Sequence, residues 1–440
     1  MNSLKALRLD QEKDLSIISI VGAGGKTTAL FQLARQLLEL KPRVLVTATS
    51  HLGTWQTQFA DHHIIVDEKS DIQLTFAGII LITGKIENER TTPISQRVLD
   101  WLCEISKADK IPLLIEADGS RQRSLKAPAD HEPPIPDFTE LVLHVSGLSA
   151  LGKPLIEENV HRVEIFSQIT ERGIGESITT QDLLKILTHP KGGLKNVPVN
   201  AKRVAVLNQA DTPELQSIGG SLARELLNDY GAVIVCSLEN NILHLIEKTA
   251  GIILAAGTSS RYGQFKQLLD WKGKPFIRQV TETALQAGLE PVVVVTGFRH
   301  TDVASHLQDL PIRLIHNPDF ELGQSTSIKA GIHSLPQHIG AAVFLLADQP
   351  QIPTEVIRAL VEAHAGERPS ILAPLVLEER RANPVLFDRV TFPDLLNLTG
   401  DIGGRGIFDK HRVTYLPWHD DILIFDVDKP DDYERLKNIE

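Results

Sequence analysis

The sequence predicts an α/β protein of two domains, on three observations. Short apolar strands alternate with amphipathic helical stretches along the whole chain. Two of the strands run directly into small-residue loops, Gly22–Thr28 and Ala256–Ser260. The 440 residues suffice for two or three domains of ~100–200 residues each. The expected domains are residues 1–247 and 248–440. The joining segment, Asn240–Ala250, has no Gly/Ser-rich or Pro-rich tether, so docked domains are expected rather than flexibly strung ones.

Composition narrows the function classes. A formal net charge of −11 argues against nonspecific nucleic-acid or lipid binding and requires local positive charge wherever an anion binds. No run approaches the roughly 18 apolar residues of a membrane span. The opening MNSLKALRLDQEKD lacks the apolar core of a secretion signal. Cys103 and Cys236 stand alone, outside metal or redox spacings, as small buried hydrophobes do in a reducing cytoplasm. The histidines, including the adjacent His62 and His63, lack zinc spacing.

In the first half, the strand Leu15–Val21 leads into Gly22-Ala23-Gly24-Gly25-Lys26-Thr27-Thr28 and then a helix over Ala29–Leu40. Strand, glycine loop and helix N-terminus make a phosphate site, with Lys26 for the outer phosphates and Thr27 for Mg²⁺. A P-loop has glycine five positions before Gly25, where Ile20 stands, so a shorter or differently shaped loop is expected. Strands follow at Arg43–Thr47, His63–Val66, Gly78–Thr83 and Ile111–Ala117, with a helix over Pro93–Ser106. Glu116 and Asp118 close the last of these strands, where a carboxylate can hold Mg²⁺ or orient water. Arg121, Arg123 and Lys126 then concentrate positive charge suited to a second anion. After strands at Leu141–Ser146 and Arg203–Leu207 comes Asn208-Gln209-Ala210-Asp211, similar to the NKxD element that reads a guanine edge, with Gln for Lys. Gly231–Cys236 is the expected last strand of the domain. The nucleotide of this half is expected to be ATP or GTP, held by Gly22, Gly24, Gly25, Lys26, Thr27, Thr28, Glu116, Asp118, Asn208 and Asp211.

In the second half, the strand Gly251–Ala255 enters a turn on Ala256, Gly257, Thr258, Ser259 and Ser260, followed by Arg261 and Lys266. Small residues admit close backbone approach, and exposed N–H groups form an anion nest. Arg261 offers a planar fork and Lys266 a point charge for a triphosphate. A helix over Phe276–Ala287 and strands at Pro291–Thr296 and Ile312–His316 follow, then a helix opened by Gly323–Ser327, with Ser325, Thr326 and Ser327 as candidate caps. The strand Ala341–Leu346 ends in Ala347-Asp348-Gln349-Pro350, which projects Asp348 toward the first loop as a hard ligand for Mg²⁺. A strand at Ile422–Phe425 precedes Asp426 and Asp428, two acids on one face by the period of two.

The run GIILAAGTSSRYGQFKQLL resembles the LAAGxSxRMGxxK signature of MobA-like nucleotidyltransferases, with Tyr262 in place of Met. It is closest to the MocA-type branch, the molybdenum cofactor cytidylyltransferases. The resemblance implies a Rossmann-like domain that transfers CMP from CTP to molybdopterin with loss of pyrophosphate. It implies Mg²⁺ on Asp348 and Asp428, Arg261 and Lys266 on the triphosphate, and a nucleotide wall of Leu254, Ala255, Ala256, Gly257, Lys266, Thr296, Asn317 and Asp348. Thr399–Gly406, with Arg405, is similar to a family loop on the acceptor side. Ala256 favours cytidine, since the guanylyl branch tends to LAGG. VGAGGKTT, EADGSRQRSLKAP, LGKPL, His161-Arg162 and NQAD together resemble the YqeC family, accessory proteins of selenium-dependent molybdenum hydroxylases. That resemblance implies a P-loop-type domain with a hydroxylase apoenzyme as partner. Three alternatives stay open: a cofactor-carrying chaperone with a nucleotide switch, a guanylyltransferase, and a sugar-phosphate nucleotidyltransferase.

Overall fold

The computed structural model describes residues 2–10, 17–66, 74–258, 262, 264–427 and 429–438. The chain divides into two compact units, Met1–Ile246 and Glu247–Glu440. No helix among the described residues is long and apolar enough to cross a membrane.

The first unit is built on a nine-stranded sheet among the described residues: β1 (Ile17–Gly22), β2 (Arg43–Ala48), β3 (His62–Ile65), β4 (Gly78–Thr83), β5 (Leu113–Glu116), β6 (Leu141–Gly147), β7 (Lys202–Asn208), β8 (Ala232–Ser237) and β9 (Ile242–Ile246). Their order across the sheet is β9-β8-β7-β6-β1-β5-β2-β4-β3. All pairings are parallel except β8 with β9. Every residue of β1 is buried, as a central parallel strand requires. Ile18 and Ile20 pack with Leu30, Leu33 and Leu37 of helix α1 (Lys26–Leu37). Ile17 and Val21 face the opposite way, toward Leu99 and Leu102 of α2 (Gln96–Asp109). Each such buried aliphatic contributes about 1.5–3 kcal/mol.

The second unit carries β10 (Thr249–Ala255), β11 (Val292–Thr296), β12 (Arg313–His316), β13 (Ala341–Leu346), β14 (Ile371–Val376), β15 (Val385–Asp388) and β16 (Val413–Trp418). The order is β12-β11-β10-β13-β15-β14, with β14 also paired to β16 and to a two-residue strand, Arg380–Arg381, which makes eight strands in the sheet among the described residues. β12, β11, β10 and β13 are mutually parallel, and β15 runs antiparallel to both its neighbours. Ile253 and Ala255 pack with Ile277 and Val280 of α3 (Phe276–Gln286). Ala250 and Ile252 pack with Ile328 and Ile332 of α4 (Gln324–His333).

Two expected elements differ. The first unit ends on β9, paired antiparallel to β8, rather than on Gly231–Cys236. A tight return after β8 forces the antiparallel pairing, since a parallel strand needs a long crossover. Residues Asp421–Ile424 form one 3₁₀ turn instead of a strand, because the Asp420 side chain accepts the Ile422 N–H at 2.9 Å. The period-of-two placement of Asp426 therefore lapses, and Asp428 lies outside the described residues.

Candidate functional sites

In the second unit, β10 sits where the chain turns to opposite sides: β11 lies on one flank and β13 on the other. Such a switch point opens a crevice at the carboxyl ends of the strands. Leu254 and Ala256 share the face of Ile252, so beyond the strand end they line a cavity on the α4 side. The cavity holds about 670 Å³ and is walled further by Gly257, Thr258, Leu346 and Asp348. Ala255, on the other face, lies in the core below.

Lys266 is buried, and its Nζ sits 3.8 Å from Asp348 Oδ2; the Asp348 side chain remains 40% exposed. The structure thus brings the expected cation and acid close together, with Asp348 on the cavity wall and Lys266 buried beside it rather than lining the cavity. Gln267 Nε2 donates to the Gly257 carbonyl at 3.1 Å and ties the small-residue loop down. Tyr262 packs with Trp271 and Phe276, and the Lys266 ammonium lies 5.9 Å from its ring centroid. Ser259, Ser260 and Arg261 lie outside the described residues.

Thr296 and Asn317 are turned to structural work. Thr296 Oγ1 is 2.6 Å from His300 Nδ1 and also donates to the Ile315 carbonyl. Asn317 is buried, and its amide donates to Thr326 Oγ1 at 2.8 Å and Ser327 Oγ at 3.0 Å. Those hydroxyls do not cap α4 as expected. The Asp401 carboxylate instead accepts the Gln324 N–H at 3.3 Å. Gly323, at φ +111°, makes this possible: a Cβ there would lie 2.4 Å from the Gly400 carbonyl carbon and oxygen. Asp401, Gln324, Phe320, Glu321 and Leu322 all line the cavity, and Arg405 does not. Of the glycine-rich segment 399–406, Asp401 rather than the expected Arg405 faces the cavity. Gln349 Nε2 donates to Asp426 Oδ1 at 2.7 Å, so the turn bearing Asp348 is pinned to residue 426.

In the first unit, β1 lies between β5 and β6, and its glycine loop opens α1 at Lys26, earlier than the pattern suggested. Gly22, Gly24 and Gly25 all have positive φ. A Cβ on Gly25 would stand 2.4 Å from Asn208 Nδ2. Three loop amides are spent internally: Gly22 on Asp118 Oδ2, Ala23 on the Val145 carbonyl and Gly24 on the Arg123 carbonyl. The N–H groups left without intrahelical partners are those of the first turn, which includes Lys26, Thr27 and Thr28.

A buried chain of alternating charge runs behind this turn. Lys26 Nζ donates to the Gly22 carbonyl at 2.8 Å and sits 3.0 Å from Asp118 Oδ1. Lys126 Nζ bridges Asp118 at 2.8 Å and Glu132 at 2.9 Å. Arg162 grips Glu132 with both terminal nitrogens, at 2.5 and 2.7 Å. Burial would raise the Asp118 carboxyl, but Lys26 and Lys126 outweigh it and hold it below the ordinary range. Burial pushes Glu116 up, against the pull of Lys26. Thr27 Oγ1 donates to Glu116 at 3.1 Å and accepts from Gln56 Nε2 at 2.7 Å. Burial, helped by Arg162, takes His161 down to about 4. Lys126 thus departs from the expected basic patch: it is turned inward by the short ladder of Leu125–Lys126 with Val160–His161.

Asn208 is buried and ties the glycine loop to the far strands: Nδ2 donates to the Gly24 carbonyl at 2.8 Å, and Oδ1 accepts the Leu238 N–H at 3.1 Å. Asp211 Oδ1 accepts from Ser237 Oγ at 2.5 Å. Among the described residues, no group of three or more His, Cys, Asp or Glu side chains is placed to hold a metal alone.

Comparison with known proteins agrees with this division. Residues 18–164 match the family described as YqeC protein, and residues 251–414 match the MobA-like NTP transferase domain. The Escherichia coli (strain K12) "Uncharacterized protein YqeC" is 36% identical over 214 residues, 47% of this chain and 81% of that one. "Nicotine blue oxidoreductase" of Paenarthrobacter nicotinovorans is 30% identical, covering 39% of this chain and 85% of its own. The Escherichia coli (strain K12) "Molybdenum cofactor cytidylyltransferase" is 27% identical, covering 42% of this chain and 94% of its own. The chain therefore belongs to the YqeC family through its first unit and to the MobA-like NTP transferases through its second.

Proposed function

We propose that the second unit is a molybdenum cofactor cytidylyltransferase. The observation that carries this reading is that Asp348, on the wall of a cavity large enough for a nucleotide, lies 3.8 Å from the buried Lys266 ammonium behind it. A terminal phosphate oxygen of molybdopterin attacks the α-phosphorus of CTP in line. The bond from that phosphorus to the bridging oxygen breaks, and pyrophosphate leaves. The chain's part is positioning and charge neutralisation. Lys266, with Arg261, steadies the triphosphate and the charge that grows on the leaving group.

The half-exposed Asp348 carboxylate fits Mg²⁺, which takes one or two carboxylates and fills its remaining positions with phosphate oxygens and water. Asp348 and Asp428 would hold the ion, which would supply further neutralisation of the phosphates when bound. The Ala256 methyl, on the cavity wall, favours the smaller base. Purified protein given Mg²⁺ and molybdopterin is expected to release pyrophosphate from CTP faster than from GTP or ATP. Faster release from GTP would overturn the cytidylyl assignment, and turnover only with a sugar 1-phosphate would replace the acceptor.

The first unit, in the same reading, binds a nucleoside triphosphate at the α1 N-terminus and prepares or hands over the cofactor to a molybdenum hydroxylase apoenzyme. Lys26 meets the outer phosphates. Glu116, joined to Thr27 Oγ1, fits Mg²⁺ better than Asp118, whose oxygens already face two lysines.

A further inference from the structure

We infer that the first unit's nucleotide is a guanine nucleotide and that Asp211 reads its base. The inference rests on the proposed triphosphate site and deepens it. Asn208, at the end of β7, is held at both ends of its amide, by the Gly24 carbonyl and the Leu238 N–H. The residue that closes on the phosphate loop is thus locked to the loop after β8. Asp211 lies three positions further on, and it is exposed.

Its orientation is fixed from behind. Ser237 Oγ donates to Asp211 Oδ1 at 2.5 Å and accepts from Asn240 Nδ2 at 2.8 Å, so the hydroxyl proton is committed to the carboxylate. Asp211 Oδ2 has no hydrogen-bond partner among the described residues. A carboxylate accepts only, so it pairs with a base edge that donates. Guanine offers adjacent ring N–H and exocyclic amino donors. The equivalent edge of adenine has a ring acceptor and no exocyclic donor at that carbon. Adenine would leave the carboxylate facing a lone pair, which is a discrimination built from repulsion as well as attraction.

Gln209 takes the place between these two residues. It adopts a left-handed conformation, φ +62°, and its side-chain oxygen accepts from Ser149 Oγ at 2.6 Å. Gln209 is therefore committed to the scaffold, and base selection falls to Asp211.

The test is calorimetric titration of the full chain and of its Lys26→Ala variant with GTP, ATP, ITP and XTP. The Lys26-dependent part of the binding reports the first unit and excludes nucleotide taken by the second. GTP is expected to bind at least about tenfold tighter than ATP in that part, with ITP weakened by loss of its amino donor. Asp211→Asn, which keeps an acceptor for Ser237 while offering an amide donor outward, is expected to lose about tenfold or more for GTP and to gain XTP. A gain for XTP cannot come from misfolding. Equal Lys26-dependent affinity for GTP and ATP, or an unchanged GTP affinity in Asp211→Asn, overturns the guanine assignment and leaves the triphosphate site standing. Loss of every Lys26-dependent signal overturns both.

Discussion

The two units use the same parts, a strand end, a small-residue loop, a lysine and an acid, and they treat the lysine differently. Lys26 is bound into a buried chain in which Asp118 also meets Lys126, and Lys126 meets Glu132. Lys266 faces Asp348 across 3.8 Å, beyond hydrogen-bond reach, and the acid borders a large cavity. The difference separates a lysine paired inside a buried charge chain from one paired beside a candidate site open to water. In the first unit, removing an acid leaves uncompensated buried charge. In the second, the acid removed is one that borders the cavity and is 40% exposed.

The largest effect expected from this contrast is on turnover in the second unit. Asp348→Ala is expected to lower pyrophosphate release by roughly a thousandfold, the scale of several kcal/mol of lost metal-borne charge stabilisation. Because the side chain is 40% exposed, the same variant is expected to keep its stability within about 0.5 kcal/mol. Single-turnover kinetics alongside urea unfolding checks both halves. An active variant would remove Asp348 from the reaction.

The mirror experiment is Asp118→Ala. Its loss leaves Lys26 and Lys126 buried without the carboxylate they share, and breaking such a pair costs about 3–5 kcal/mol. Hydrogen exchange resolves the units: amides of β1 and β5 are expected to lose protection, while those of β10 and β13 do not. Equal protection in the variant would mean that the buried chain is not what holds the first unit's loop.

How far the sequence carries this picture depends on which contacts are local. β13 is an uninterrupted apolar run, and β1 and β10 are mostly apolar, broken by Ser19 and opened by Thr249; these strands are legible as such, and so are both small-residue loops. β9 is not, because its burial is partial and its partner is fixed by a turn rather than by its own pattern. Ile422–Phe425 reads as a strand, yet the Asp420 side chain accepts the Ile422 N–H and the chain turns over Asp421–Ile424 instead. Lys126 read as part of a surface basic loop, since its partners Glu132 and Arg162 are brought together only by the fold. In the second unit, Gln267 and Asp401 sat inside recognised segments, yet nothing in the string said which side chain would face the cavity. Asn208 was legible as a residue type, but its bond to the Gly24 carbonyl depends on strand order.

The smallest effect expected concerns pH and sharpens the same contrast. Burial opposes ionisation of Glu132, but Arg162 and Lys126 outweigh it and bring its carboxyl from 4.5 to about 2. A depressed folded-state value means that the stabilisation is complete above the unfolded value and drains away as pH falls from about 4.5 through about 2. The Asp348 side chain is 40% exposed, against 13% for Glu132, so the comparison is between an acid open to water and one held in a buried chain. Glu132→Gln removes the titrating group and leaves the shape. The variant is expected to start less stable at neutral pH and then to lose less stability than the natural protein across that acid window. Urea midpoints at a series of pH values, followed through protection of β1 and β5 amides, measure the slope. Parallel slopes in the two proteins would mean that Glu132 titrates alike in folded and unfolded chains, and that Arg162 and Lys126 contribute nothing to holding it charged.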